Sequence, residues 1–175
     1  MPMKKVTLFR HAKSGEKNNP DIEDFDRPLA PRGLKAAPKM GEAMRGAKLE
    51  PDLILCSPSV RTRQTLELAA LHAWDSHPDV RFERRLYEAS PETLLRAIKE
   101  LPGKAAHVMV VGHNPGLQQL AARFAPPDSE ARHQFREKLP TAAIVSFSFD
   151  VGNWKDLKSG TGQLQLSISP ATMQD

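Results

Sequence analysis

The chain has 175 residues, 39% of them hydrophobic, with 25 Lys and Arg against 21 Asp and Glu. A length in this range suits one compact domain that buries about two-thirds of its unfolded surface and needs no disulfide or structural metal to fold. A net charge of +4 and a pI near 9.3 favour acidic and phosphorylated ligands, while one Tyr and two Trp among scattered basic residues argue against a nucleic-acid surface.

The N-terminus, MPMKKVTLFRHAKS, has only four consecutive uncharged residues after its lysines. That is too short for the apolar part of a signal peptide, and no run approaches a membrane span, so a cytoplasmic location without membrane association is expected. The first strand is predicted over residues 5–9, ended by Arg10-His11. A polar stretch from Lys13 to Arg32 is long for a connection within a compact domain and is a candidate functional loop. Its acidic run, Asp21, Glu23, Asp24 and Asp26, reads as a solvated face, with a role in repelling or selecting substrates as the alternative. Residues 34–45 have helical composition, and Leu53 to Cys56 form a second strand. Cys56, the single cysteine, excludes an intrachain disulfide and is expected as a buried strand residue rather than a thiol nucleophile.

Ser57-Pro58 is predicted to open a helix to about Ala73, with Ser57 as cap and Pro58 at the first position. Residues 80–87 read as an extended edge segment, and Ser90-Pro91-Glu92 starts a helix to Glu100. Val108 to Val111 is the most apolar strand, and Asn114-Pro115 opens the next helix in the same way. After Pro126 and Pro127, residues 142–149 and 164–169 look like two strands. Strands alternating with helices predict an α/β domain with a mostly parallel central sheet and helices on both faces, the whole of 1–175 forming a single domain.

Two strand-to-helix junctions carry the same cargo: Arg10-His11 after one apolar strand and Gly112-His113-Asn114 after another. In a parallel sheet the carboxyl ends of strands share an edge where ligands bind, so the histidines can converge. Arg61, in the first turn of the helix after the second strand, points to the same edge. Arginines, histidines and helix N-termini make a cationic pocket suited to phosphate. Arg63 lies two positions further along the helix and is expected on the surface. The Gly112–Gly116 turn lacks the lysine of a nucleotide loop, and no histidine pair has the spacing of a helical metal site, so neither metal nor cofactor is expected.

These residues resemble the histidine phosphatase superfamily, also called phosphoglycerate mutase-like. The wording is closer still to SixA-type phosphohistidine phosphatases: LFRHAKS, Asp26-Arg27-Pro28-Leu29 leading to Arg32-Gly33, SPSVRTRQT, LYEASPETLL and VGHNPGL, from Val6 to about Leu120. The resemblance implies catalysis by His11 as nucleophile, with Arg10, Arg61 and His113 holding the phosphoryl oxygens. Neutral imidazole is the attacking form of His11, and His113 serves best when protonated. Glu88 occupies a place comparable to the acid that protonates the leaving oxygen in phosphomonoester-cleaving members, with a solvated carboxylate as the alternative. Ser14 fits the Arg-His-x-x-Ser pattern, either touching phosphate or supporting His11, and with Asn114 is a candidate substrate-binding residue; the asparagine often found shortly after that serine has no clean match, since Lys17 precedes Asn18. The implied partner is a protein phosphorylated on histidine, with inorganic phosphate as product and no nucleic acid; a phosphatase of small phosphate monoesters and a non-catalytic phosphate-binding module are the alternatives.

Overall fold

Lys4–Arg10 (β1), Leu53–Cys56 (β2), Asp79–Phe82 (β3), His107–Gly112 (β4), Ile144–Phe149 (β5) and Gln163–Ile168 (β6) form one sheet in the computed structural model, which describes residues 3–15 and 17–173. The strand order is β3-β2-β4-β1-β5-β6, parallel from β3 through β1, with β5 antiparallel to both its neighbours. The predicted α/β architecture with a mostly parallel sheet is the observed one.

Alternation along the strands builds two cores. Val6 and Leu8, Leu53 and Leu55, and Val108 and Val110 pack with Leu94 and Ile98 of Pro91–Lys99 (α3), Leu117 and Leu120 of Gly116–Phe124 (α4), and Phe135 of Glu130–Glu137 (α5). The intervening residues, Phe9, Ile54, Cys56, Met109 and Val111, pack with Met40 and Met44 of Pro31–Gly46 (α1) and Leu66 and Ala69 of Val60–Ala73 (α2). Period-2 strands sandwiched between helices must be apolar on both sides, hence the nearly unbroken hydrophobic runs. Burial pushes the Cys56 thiol up, which leaves it a packing residue. No helix among the described residues is long and apolar enough to cross a membrane.

Local starts depart from prediction in several places. Helix α2 begins at Val60 with Ser59 as its cap, not at Pro58 with Ser57, which frees the Ser57 hydroxyl for another partner. Helix α4 begins at Gly116, and Pro115 rather than Asn114 is its cap. The extended segment ends at Phe82 and tightens into a 3₁₀ turn at Arg84–Leu86. Helix α5 was not predicted; Phe135 is its single buried residue, which leaves almost no apolar period to read. Ser90 caps α3 as expected, its oxygen accepting from the Thr93 amide at 3.1 Å.

Helices α1 and α2 cross closely where Gly41 meets Ala69: a Cβ on Gly41 would lie 2.1 Å from the Ala69 carbonyl oxygen. Gly41→Ala is expected to cost about 1–3 kcal/mol, lowering the thermal midpoint by several degrees. Gly46→Ala, with nothing within 4 Å of the new methyl, should leave it unchanged or slightly raised. Thermal denaturation of both variants checks the pair.

Candidate active site

Strands β1 to β4 run in one direction, so their carboxyl ends share an edge of the sheet. The β1–β4 ladder pairs Arg10 with Gly112, and the His11 amide then donates to the Gly112 carbonyl at 3.1 Å. This brings the rings of His11 and His113 to a centroid distance of 5.4 Å. Arg61, on the first turn of α2, donates from Nη2 to His113 Nδ1 at 3.2 Å. The Thr65 hydroxyl donates to the Arg61 carbonyl at 2.7 Å and accepts the Ala12 amide at 3.0 Å, tying that turn to the residue after His11. His11, Arg61 and His113 are thus assembled at one place, each about nine-tenths or more buried.

Proton positions follow from the partners. His11 Nδ1 donates to the Ala12 carbonyl at 2.7 Å, leaving the Nε2 lone pair free. His113 Nδ1 accepts from Arg61, so its proton sits on Nε2 and faces the Ser57 hydroxyl at 2.8 Å. Burial and then neighbouring arginines push His11 down to about 4, against the opposing Ala12 hydrogen bond. Burial and the Arg61 charge push His113 down to about 3. Both rings are therefore neutral in this arrangement, whereas the sequence favoured a protonated His113; with two nitrogens already engaged beside a guanidinium, a further cation is unfavourable there.

Arg10 donates from Nη1 to the Leu139 carbonyl at 2.8 Å, and Asn114 Nδ2 donates to the same carbonyl at 2.8 Å and to Gln118 Oε1 at 3.2 Å. Asn114 has committed its amide hydrogens to the Leu139 carbonyl after α5 and to Gln118 of α4, which leaves no free donor for a phosphoryl oxygen. The Ser14 hydroxyl accepts from Arg27 Nη1 at 2.8 Å, so it supports an arginine rather than His11. Glu88 is exposed, in the left-handed region at φ 53°, and makes no hydrogen bond or ion pair among the described residues. The Nε–H groups of Arg10 and Arg61 and Asn114 Oδ1 are buried without partners. Two unmet guanidinium donors in one pocket fit an oxyanion, since burying such donors unpaired costs about 1–3 kcal/mol each.

Four further residues belong to the site. Asp24 accepts from Arg61 Nη2 at 3.1 Å through Oδ2, from Arg27 Nη2 at 2.8 Å through Oδ1, and from the Tyr87 hydroxyl, while its backbone carbonyl accepts from Arg61 Nη1 at 2.7 Å. Burial acts to raise the Asp24 carboxyl, but Tyr87, Arg27 and Arg61 outweigh it and hold it well below the usual carboxylate range. Tyr87 stands edge-on to the His113 ring at 5.4 Å. Arg27 is 4% exposed, and Ser57 completes the set. The Asp24 side chain is still 44% exposed, so it keeps its solvated face while pairing with both arginines. The polar loop folds back over Arg61 and delivers one carboxylate to it; only the unusual length of that loop signalled this.

The sequence profile of the histidine phosphatase superfamily (branch 1) matches residues 6–94, just over half of the chain. An uncharacterised protein of Mycobacterium tuberculosis is 35% identical over 159 residues, covering 89% of this chain and 96% of its own. The chain belongs to the histidine phosphatase superfamily. A candidate SixA phosphohistidine phosphatase from Nakamurella multipartitia has a TM-score of 0.83 at 30% identity, over 97% of this chain and 98% of its own. Its counterpart from Agrobacterium tumefaciens gives 0.79 at 27%, over 95% and 98%. Within the histidine phosphatase superfamily the chain is SixA-like, an enzyme of the phosphatase type working through a histidine.

Two measurements test the electrostatics. In an NMR titration of the ligand-free protein, the His11 ring should titrate near pH 4; a midpoint near the ordinary value of about 6.5 would contradict its burial among arginines. Asp24→Asn removes the one carboxylate on Arg61, so inorganic phosphate should inhibit about tenfold more tightly at low salt while kcat falls as Arg61 loses its brace. Unchanged inhibition would show that Asp24 does not set the charge of the pocket.

Proposed function

We propose that the chain dephosphorylates phosphohistidine in a protein, through a covalent phosphohistidine on His11. The observation that carries this is the proton on His11 Nδ1, which leaves a nucleophilic Nε2 lone pair in a pocket of arginines. Nε2 attacks phosphorus as the substrate's P–N bond breaks; the departing imidazole leaves neutral, with its proton on the other ring nitrogen. Water then cleaves the enzyme's P–N bond and releases inorganic phosphate. Arg10, Arg61 and His113 hold the non-bridging oxygens, and the dianion supplies the counter-charge with which His113 can take a proton on Nδ1. Ser14 and Asn114 act at one remove, through Arg27 and the Leu139 carbonyl. Both cores share one sheet, which supports 1–175 as a single histidine phosphatase domain.

The phosphohistidine substrate is supported by the SixA phosphohistidine phosphatase descriptions of the two structural neighbours and by Glu88. An alkoxide needs an acid to leave, worth about 10² to 10⁴ in rate, whereas phosphorylated imidazole carries its own proton. Glu88 is exposed and makes no hydrogen bond or ion pair among the described residues, so nothing holds it over a leaving oxygen.

His11→Ala should lower turnover by roughly 10³-fold or more without unfolding the chain; near wild-type activity would remove the proposal. Glu88→Gln should barely change hydrolysis of a phosphohistidine protein or of phosphoramidate. Equal, large losses on both substrates would favour a phosphomonoesterase instead.

A further inference from the structure

The rim beside the site carries arginines lying on aromatic rings. The Arg84 guanidinium lies 4.2 Å from the Phe25 ring centroid and 5.9 Å from that of Tyr87, the ring that also borders His113. Arg61 also lies 5.9 Å from the Tyr87 ring, so site arginine and rim arginine share that ring. Phe25 and Tyr87 meet edge to face at 5.0 Å. A second pair lies beyond: Arg63, the exposed neighbour of the Arg61 turn, sits 5.6 Å from the ring of Phe82, which is 50% exposed at the carboxyl end of β3. Neither the Arg63 nor the Arg84 guanidinium has a hydrogen bond or carboxylate partner among the described residues, although Glu23 and Asp26 bracket Phe25 in the chain. Half-buried Phe25 and Tyr87 and exposed Phe82 beside arginines have the composition of interface anchors, and two guanidinium groups without acceptors call for carboxylates.

We propose that the Phe25–Arg84–Tyr87 and Arg63–Phe82 rim docks an acidic surface of the phosphorylated protein, next to the phosphohistidine presented to His11. This rests on the phosphohistidine reading above. Stacking keeps each guanidinium spread against a ring, so little side-chain freedom is lost on pairing. Neither arginine touches the phosphoryl group, and both act on capture of the larger substrate.

The test uses two phosphohistidine peptides differing only in glutamate or glutamine on either side of the phosphorylated residue. Binding is measured to His11→Ala protein, which prevents turnover, with inorganic phosphate as the control ligand. The glutamate peptide should bind about fivefold more tightly than the glutamine peptide at low salt, the scale of two exposed ion pairs. Adding R63A and R84A together should erase that preference, leave phosphate affinity unchanged, and match the effect of high salt. Equal affinities, or a preference that survives the double change, would overturn the docking surface. Turnover of both peptides by the unaltered chain is read separately: equal hydrolysis without preference would sink the docking surface and keep the substrate, and a preference in binding without hydrolysis would do the reverse.

Discussion

The parallel ladder between β1 and β4 pairs Lys5 with His107 at one end and Arg10 with Gly112 at the other. Its far end is pinned by polar contacts: the Thr7 hydroxyl bonds His107 Nε2 at 2.7 Å and Ser146 at 3.0 Å, and Asp52 Oδ2 accepts the amides of Ala106 and His107 at 2.8 and 2.9 Å. Burial pushes His107 down to about 4, so it stays neutral as part of this pin. Because side chains alternate, a slip of one residue would turn Val6 and Leu8 out of one core and Phe9 out of the other. It would also carry His11 away from His113. Two cores on opposite faces of the sheet therefore specify the distance between the two site histidines, without either histidine contributing to them.

Three arginines and two histidines in one buried pocket would repel one another if all were charged. Burial, then the guanidinium charges, keeps the imidazoles neutral, and Asp24 supplies the one carboxylate that shields Arg27 and Arg61 from each other. The protonation of His113 is consequently linked to the anion it would bind: the ring gains a proton only when negative charge arrives, and the anion binds more firmly as it does. The same neutrality leaves the His11 Nε2 lone pair unprotonated without any dedicated base beside it.

Much of this was legible in the sequence because it depends on chain-local features. Strand-end histidines, Arg61 in the first turn of α2 and the apolar runs each occupy a few contiguous residues, and parallel topology brings their ends together without further information. Asp24 was not legible, because its role depends on a loop closing over an arginine 37 positions away. Composition alone made it one acid among four. Ser57 was hidden differently: two serines flank Pro58, and only the structure shows that the helix takes Ser59 and leaves Ser57 to His113. Asn114 and Ser14 lie where a ligand contact was expected, yet the Asn114 amide hydrogens and the Ser14 oxygen are spent on fixing neighbours.

Burying the Nε–H groups of Arg10 and Arg61 without acceptors runs against the near-complete satisfaction of polar groups elsewhere in folded proteins. Water would relieve it if the arginines swung outward, but each is tethered: Arg10 to the Leu139 carbonyl, Arg61 to both oxygens that Asp24 turns towards it. The tethers hold the guanidinium planes where an incoming oxyanion meets donors already oriented, so reorganisation that binding would otherwise require has been met during folding. The same tethers confine release. An anion that matched these donors too well would not leave, and the Asp24 carboxylate, held well below the usual carboxylate range, stays at Arg61 to compete with it for the guanidinium.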